Sequence, residues 1–359
     1  MKYFNFVAAV LLSLLYATGK IPPSEKYNLW FTIFIIPVAM VANTVLLLAT
    51  LIMRKKSSAF YIIPMIIGIP YMLGTLGMKG YFKSSEAEST SFTVLNYNIG
   101  GYRGTQMAHK NQDSARIELT NMILHPDTDI QCYQEFATYP WHKDFNVTGH
   151  LRKLNRMFYF SEEEDKSHAD YSTAGILIVS RFPIVGHGEI LSSNHGFNRV
   201  AYADIKIGKD TVRIINVHLE SMGLSQHDPR VRHDLGSVRK STLSLLSKLK
   251  SGVFERSKQA RQVAAFVEAS PYPVVCVGDF NDMPYSYSYQ YLKRFMRNAF
   301  EESGRGFGFT YNGGTLKMLR IDNQFHTAGV ESTVLKTRYD ISLTDHFPVQ
   351  GTYNITRDN

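Results

Sequence analysis

VVCVGDFNDMP, Val274 to Pro284, sets a run of apolar β-formers against an abrupt polar ending. A near-continuous apolar run is how a strand buried on both faces reads, and YPVVCVGDF (272–280) is such a run. Gly-Asp-Phe-Asn-Asp then offers two carboxylates and an amide, more than a simple turn requires. Strand ends facing a crevice are where α/β folds place their chemistry. Carboxylates and an amide at such an end suit a metal-bound phosphate.

Other strand candidates end the same way. FTVLNYNI (92–99) carries Asn98 near its end, DIQCYQEF (129–136) carries Glu135, and TVRIINVHL (211–219) carries Asn216 and His218. LRIDNQFHT (319–327) holds Asp322, and SLTDHFPV brings Asp345 and His346 just ahead of the strand FPVQGTYNI (347–355). AGILIVS (174–180) and AYADIKI (201–207) complete the set, and GKD between 207 and 211 reads as a hairpin turn. Helices are predicted over Gln112–His125 and Arg256–Ala269, the second with an apolar stripe of Ala260, Val263, Ala264 and Val267. Mixed helices, strands and hairpins predict two packed sheets flanked by helices. There are no repeats or low-complexity tracts.

Taken singly, these polar residues have ordinary explanations: Asn98 or Asn281 capping a turn, Asp279 capping a helix, His218 bonded in a core. Taken together they fit one reaction. Oxygen and amide ligands without a Cys/His cluster suit Mg²⁺ or Mn²⁺ rather than zinc. Two histidines and an aspartate supply proton transfer and charge stabilisation for attack of water on phosphorus. No Gly-rich nucleotide loop, Gly-x-Ser-x-Gly elbow or HExxH motif is present.

In order, NYNIGG, YQEF, INVHLES, GDFNDMP, RIDNQF and TDHFPV resemble the endonuclease/exonuclease/phosphatase superfamily. Its members include deoxyribonuclease I, apurinic endonucleases, neutral sphingomyelinases and inositol polyphosphate 5-phosphatases. GDFN and the terminal Asp-His carry most of the resemblance, which spans about residues 91–355. It implies a four-layer α/β sandwich and Mg²⁺-dependent phosphoester hydrolysis. It also implies residue roles: Glu135 as the main metal ligand with Asp345 beside the metal, and Asn98 arranging metal and phosphate. Asp279 and Asn281 would position or deprotonate the attacking water. His346 would contact the scissile phosphate, oriented by Asp322, and His218 matches the second histidine of the nuclease and sphingomyelinase branches. Asn216, near the end of the same strand as His218, is a candidate substrate contact. Arg199 has two readings, a phosphate contact like a comparable Arg in nuclease relatives or a surface ion pair. The chain departs from the family at Gly100, where some members carry a further acidic metal ligand, and at Asn323, where many carry Tyr.

Charge is unevenly distributed. Of 39 basic and 31 acidic residues, eight and one fall within residues 1–83, which leaves 31 and 30 for residues 84–359. The high overall pI therefore belongs to the N-terminal part and says little about the substrate. Within the remainder, Arg230 to Gln262 holds nine basic and two acidic residues. It reads as a solvated helix face, or as a surface for a nucleic-acid backbone or anionic headgroups. Cys132 and Cys276 each sit in an apolar strand candidate and read as buried free thiols.

The N-terminal part is of another kind. Leu29 to Met53 is 25 residues without a charge, and about 20 suffice to cross a bilayer. Ala59 to Met78 is also uncharged and carries Pro64 and Pro70. A shorter run, Phe4 to Ala17, reads either as a signal-peptide core or as a third membrane helix. Residues 1–83 are thus expected to be a membrane region of two or three helices, and residues 84–359 the catalytic domain. Arg54-Lys55-Lys56 between the long runs favours the cytoplasm for that loop, which places the catalytic domain outside it under either reading of the first run. The expected protein is a multi-pass, membrane-embedded, metal-dependent phosphoesterase. It is expected to hydrolyse phosphodiester bonds, as in a nucleic acid, or phosphomonoester bonds by attack of water; alternatively it acts on a phospholipid headgroup as a sphingomyelinase or phosphoinositide phosphatase does, and no protein partner is legible. An inactive binding module on the same fold would lack counterparts of Glu135, Asp279 or His346, and all three are present.

Overall fold

Strand alternation dictates the layers. The computed structural model describes residues 2–24, 26, 29–82, 91–102, 112–164, 173–192, 198–222, 235–313 and 318–356, without the side chains of 102, 112–113, 163–164 and 235–241. Three helices come first: α1 (Lys2–Thr18), α2 (Thr32–Ile52) and α3 (Ser58–Thr75). The expected boundary between residues 83 and 84 falls outside the described residues. The part that follows contains two six-stranded sheets.

The first sheet has the order β11-β12-β1-β2-β4-β3. Its strands are β1 (Ser91–Asn98), β2 (Ile130–Thr138), β3 (Met157–Glu164), β4 (Thr173–Ser180), β11 (Val330–Thr337) and β12 (Val349–Ile355). The second has the order β5-β6-β7-β8-β10-β9. It comprises β5 (Ile184–Ser192), β6 (Arg199–Ile207), β7 (Asp210–His218), β8 (Val274–Asp279), β9 (Arg297–Asn298) and β10 (Asp322–His326). Each sheet contains one parallel pair, β1 with β2 and β7 with β8, and antiparallel neighbours on both sides of it. A parallel pair needs a crossover, usually a helix. Here these are α4 (Gln112–Leu124) and α6 (Leu235–Glu268). Three shorter helices, α5 (Val147–Lys153), α7 (Tyr287–Leu292) and α8 (Ala299–Ser303), and two 3-10 turns, Lys79–Tyr81 and Gly100–Tyr102, complete the described elements.

Successive side chains of a strand point to opposite faces. On β1, Phe92 and Val94 enter the inter-sheet core with Ile130, Cys132, Ile214, Val275 and Val277, whereas Leu95 and Tyr97 pack outward beneath Ala115, Leu119 and Ile123 of α4. On the other side Ile215, Val217, Val274 and Cys276 pack beneath Ala260, Val263, Ala264 and Val267 of α6. The result is the expected four-layer sandwich. Both cysteines are free and buried.

α2 and α3 are long and apolar enough to cross a membrane by length and composition. Val38, Val41, Val45, Ile63 and Ile66 project away from protein. α1 packs against α3 through Tyr61 Oη donating to Asn5 Oδ1 (3.1 Å) and Tyr71 Oη donating to the Tyr16 carbonyl (2.7 Å). The three helices also join the two-sheet part. Tyr16, Ile33, Ile36, Ala39 and Tyr71 share one apolar cluster with Leu249 and Val253 of α6 and with Met283, Tyr285, Tyr311 and Ile321. Arg320 clamps the junction by donating to the carbonyl of Gly74, at the end of α3.

Candidate active site

The site lies where the inner faces of the two sheets end. Strand register places Arg199, His218, Asp279 and Asp322 side by side across β6, β7, β8 and β10. The first sheet contributes Asn98, the last residue of β1. Asn98 Nδ2 donates to Asp279 Oδ2 (3.0 Å) and to Glu135 Oε1 (3.1 Å), so one amide ties the two sheets and holds two carboxylates together. Gly100 N–H donates to Asn98 Oδ1 (3.0 Å) and fixes that amide's orientation.

Glu135 reaches this cluster against simple alternation. Gln134 faces inward, so its neighbour should face α4. A β-bulge shifts the β2–β4 register between Tyr133 and Phe136, and Glu135 takes a φ of 48°. Bulges of this kind re-aim side chains beside active sites. The Glu135 side chain is 30 % exposed, whereas that of Asp279 is enclosed. His218 Nε2 stands 3.6 Å from Glu135 Oε1 and 3.8 Å from Asp279 Oδ2.

The GDFND turn is shaped by its backbone. Gly278 has a φ of 137°, and a Cβ there would lie 2.1 Å from the Val217 carbonyl oxygen. Only glycine lets β8 approach β7 so closely. Asn281, at a φ of 50°, donates its N–H to Asp279 Oδ1 (2.8 Å) and its Nδ2 to the Leu219 carbonyl (3.1 Å). Asp282 turns away from the cleft and lies 3.4 Å from Arg256 Nε in a buried ion pair with α6.

His346 Nδ1 and Asp322 Oδ2 are 2.9 Å apart, and His346 Nε2 is 3.9 Å from Asp279 Oδ2. Burial alone would lower the His346 pKa. The charge and hydrogen bond of Asp322, with Asp279 and Asp345 beyond, outweigh that and raise it to about 10. Burial pushes the enclosed Asp322 carboxyl up as well, against the opposing charge of His346. The His346 N–H donates to Thr344 Oγ1 (3.1 Å), and that hydroxyl donates to the Asn98 carbonyl (3.0 Å), which anchors the loop to β1. Asp345 adjoins His346 at the same mouth, its carbonyl accepting from Asn312 N–H (2.8 Å).

One candidate belongs elsewhere. Asn216 is two residues deeper than His218 on the same face of β7, enclosed between the sheets. Its Nδ2 donates to the carbonyls of Tyr133 and Leu177 (3.1 Å each), and its Oδ1 accepts from Gln134 Nε2 (2.6 Å). Its hydrogen-bonding capacity is spent on the neighbouring strands, so it is a buried structural amide rather than a substrate contact. Gln324 makes a matching set below Asp322, donating to Asn96 Oδ1 (2.9 Å) and accepting from Tyr353 Oη (2.7 Å). Arg199, at the end of the active-site row, is held by Glu189 Oε1 at 3.0 Å. Asn323 accepts from Arg320 and, at 3.4 Å, from Asn298 Nδ2, outside the cleft.

Sequence reading missed Tyr311. Its ring stands edge-on to His346, with centroids 5.0 Å apart. Burial first, then the charges of Asp345, Asp279 and Glu135, push its pKa up to about 12, so the phenol stays a neutral donor. FTYNGGT carries no motif that announces it; only the backbone bridge between Tyr311 and His346 brings it in.

Solved structures share this architecture. Truncated Caenorhabditis elegans TDP2 matches with a TM-score of 0.51 and 19 % identity over 75 % of this chain and 100 % of that one. An endonuclease/exonuclease/phosphatase family protein from Leptotrichia buccalis matches at 0.50 and 12 %, over 74 % and 100 %. The human Nocturnin catalytic domain with bound sulfate matches at 0.50 and 12 %, over 77 % and 99 %. The chain has the endonuclease/exonuclease/phosphatase fold. No protein-family model and no curated protein matches the sequence.

In this fold the cleft gathers Glu135, Asp279, Asp322 and Asp345 around two histidines. Asp279, Asp322 and His346 each offer a ligand atom within 4.8 Å of the others. The Asp322 and His346 atoms are, however, hydrogen-bonded to each other. Glu135, an open carboxylate re-aimed by a bulge and steadied by Asn98, is the better placed anchor. These hard oxygen donors fit a divalent cation of the Mg²⁺ or Mn²⁺ type.

Proposed function

We propose that this protein is a metal-dependent phosphoester hydrolase, acting on phosphodiesters by attack of water. The observation that carries this reading is the Asn98 amide joining Glu135 to Asp279, with the Asp322–His346 pair one strand away. Glu135, with Asp345 nearby, would hold Mg²⁺ or Mn²⁺, which when bound neutralises phosphate charge and makes bound water more acidic. Asp279, fixed by the Asn98 amide and the Asn281 N–H, orients the attacking water and accepts its proton. His346 is held protonated by Asp322. It donates from Nε2 to the phosphoryl oxygen on which negative charge grows, while the P–O bond to the ester oxygen breaks and the departing alkoxide takes its proton from solvent. His218 and the neutral Tyr311 line the same cleft and are further donors to the phosphate.

The way the apolar helices attach favours a second reading, in which the phosphoester is part of a lipid headgroup. Tyr16, Ile36 and Tyr71 pack on Met283, Tyr311 and Ile321, residues of the loops that build the cleft. A membrane-embedded α2 and α3 would therefore hold the cleft close to headgroups. Full-length protein should be assayed against DNA, RNA, phospholipid vesicles and phosphate monoesters, with Mg²⁺ and with chelator. Metal-dependent release from a phosphodiester supports the proposal, and release from vesicles alone selects the second reading. Turnover undiminished in chelator, or none on any phosphoester, contradicts it.

A further inference from the structure

α6 is 34 residues long, roughly 50 Å at 1.5 Å per residue. That is more than a sheet-covering crossover needs, and its surroundings change along its length. Ala260, Val263, Ala264 and Val267 cover the second sheet. Towards the N-terminus, Leu249 and Val253 pass from the sheet to the cluster they share with Tyr16, Ile33, Ile36 and Ala39 of α1 and α2. Helical spacing carries the same stripe on to Leu245 and Leu246. Leu243, Leu245 and Leu246 are 57 %, 36 % and 41 % exposed, and nothing among the described residues covers them.

Two observations indicate what does. The uncovered leucines continue directly from the contact with α1 and α2, and α2 itself exposes Val38, Val41 and Val45 beside α3. The charge is also one-sided, since residues 235–250 include Arg239, Lys240, Lys248 and Lys250 and no acid. An apolar stripe with basic residues and no acids, continuous with membrane-spanning helices, has the chemistry of a helix lying in a bilayer interface. We infer that the N-terminal part of α6 rests on an anionic phospholipid surface, with Leu245 and Leu246 at the acyl boundary and Lys250, one turn along from Leu246, at the phosphates. The inference rests on the reading that α2 and α3 cross a membrane, and it adds a second, peripheral contact between the catalytic part and that membrane.

Spin labels test both readings separately. Cys132 and Cys276 are buried, so labels can be directed to Leu246→Cys, to Ser244→Cys on the opposite side of α6, and to Val45→Cys in α2. The full-length protein is reconstituted in phosphatidylcholine vesicles with and without phosphatidylglycerol, and oxygen and nickel-chelate accessibility is measured at each label. With phosphatidylglycerol present, the oxygen-to-nickel ratio should be several-fold higher at 246 and 45 than at 244. Without it, the ratio at 246 should fall and that at 45 should not. A water-like label at 246 beside an immersed label at 45 overturns the α6 contact alone. A water-like label at 45 removes its premise. Dipolar broadening at 246 shows a second copy of the chain on the stripe, and equal immersion without phosphatidylglycerol removes the anionic requirement; either result contradicts the proposal.

Discussion

Asp322 and His346 form the pair on which the chemistry of single residues turns. Each alone, as Asp322→Asn or His346→Ala, should lower turnover about a hundredfold to ten-thousandfold, as loss of a proton-transfer group does. The double variant should be little worse than His346→Ala, because residues acting as one unit are non-additive; additive losses would show that they act independently. Their pKa shift also has a sign. His346 is raised from 6.5 to about 10 by its partner, so the stability it contributes is complete below pH 6.5 and is lost as pH rises through about 10. Asp322→Asn should therefore move the alkaline limit of stability downward, which thermal unfolding across that range would show. Most of these residues were legible because hard ligands and histidines recur at strand ends. Asn216 misled because sequence does not mark which rung of β7 is the last to reach the cleft. Its role predicts that Asn216→Ala costs about 1–3 kcal/mol, by leaving buried partners unpaired, while the KM for a phosphodiester stays unchanged. A raised KM at unchanged stability would restore it to the site.

Elements were legible to the extent that hydrophobic period announced them. The eight expected strands are all present with ends shifted by a few residues, and the GKD hairpin joins β6 to β7 with Gly208 at a φ of 60°. β3 (MFYFSEEE), whose second half is acidic, and β5 (IVGHGEILS), with two glycines, lack that signal and are placed by pairing with β4 and β6. The predicted helix 256–269 is only the sheet-covering end of α6; the preceding basic segment continues it, while Arg230, Arg232 and Asp234 lie outside the described residues. The bulge that turns Glu135 inward has no local signature, since it arises from the pairing of β2 with β4. The GDFN turn does have one, in Gly278. Gly278→Ala would drive a methyl into the Val217 carbonyl and should cost more than about 3 kcal/mol or prevent folding. A chemical-denaturation midpoint equal to that of the unsubstituted protein would show that β7 and β8 can part there.

In the whole molecule a two-sheet sandwich is fastened to apolar helices through Arg320, the backbone pairing of Gly77 with Gly306, and one shared cluster beside the cleft. Length and lack of charge made those helices legible; their docking beside the site was not, because it depends on surface shape formed only after folding. Arg54-Lys55-Lys56 predicts that a reporter fused after Asn359 is active only outside the cytoplasm, and a cytoplasmic signal would reverse that orientation. The central claim is that the intact chain hydrolyses phosphoesters with a divalent cation anchored at Glu135. Its most direct test is a Mg²⁺ titration of phosphodiester hydrolysis by full-length protein, beside the same titration of Glu135→Gln, which keeps the side-chain shape and removes its charge. Saturable Mg²⁺ activation, abolished by chelator, is expected, with a loss of at least about a hundredfold in Glu135→Gln. Equal rates in Mg²⁺ and in chelator, or an unimpaired Glu135→Gln enzyme, would contradict it.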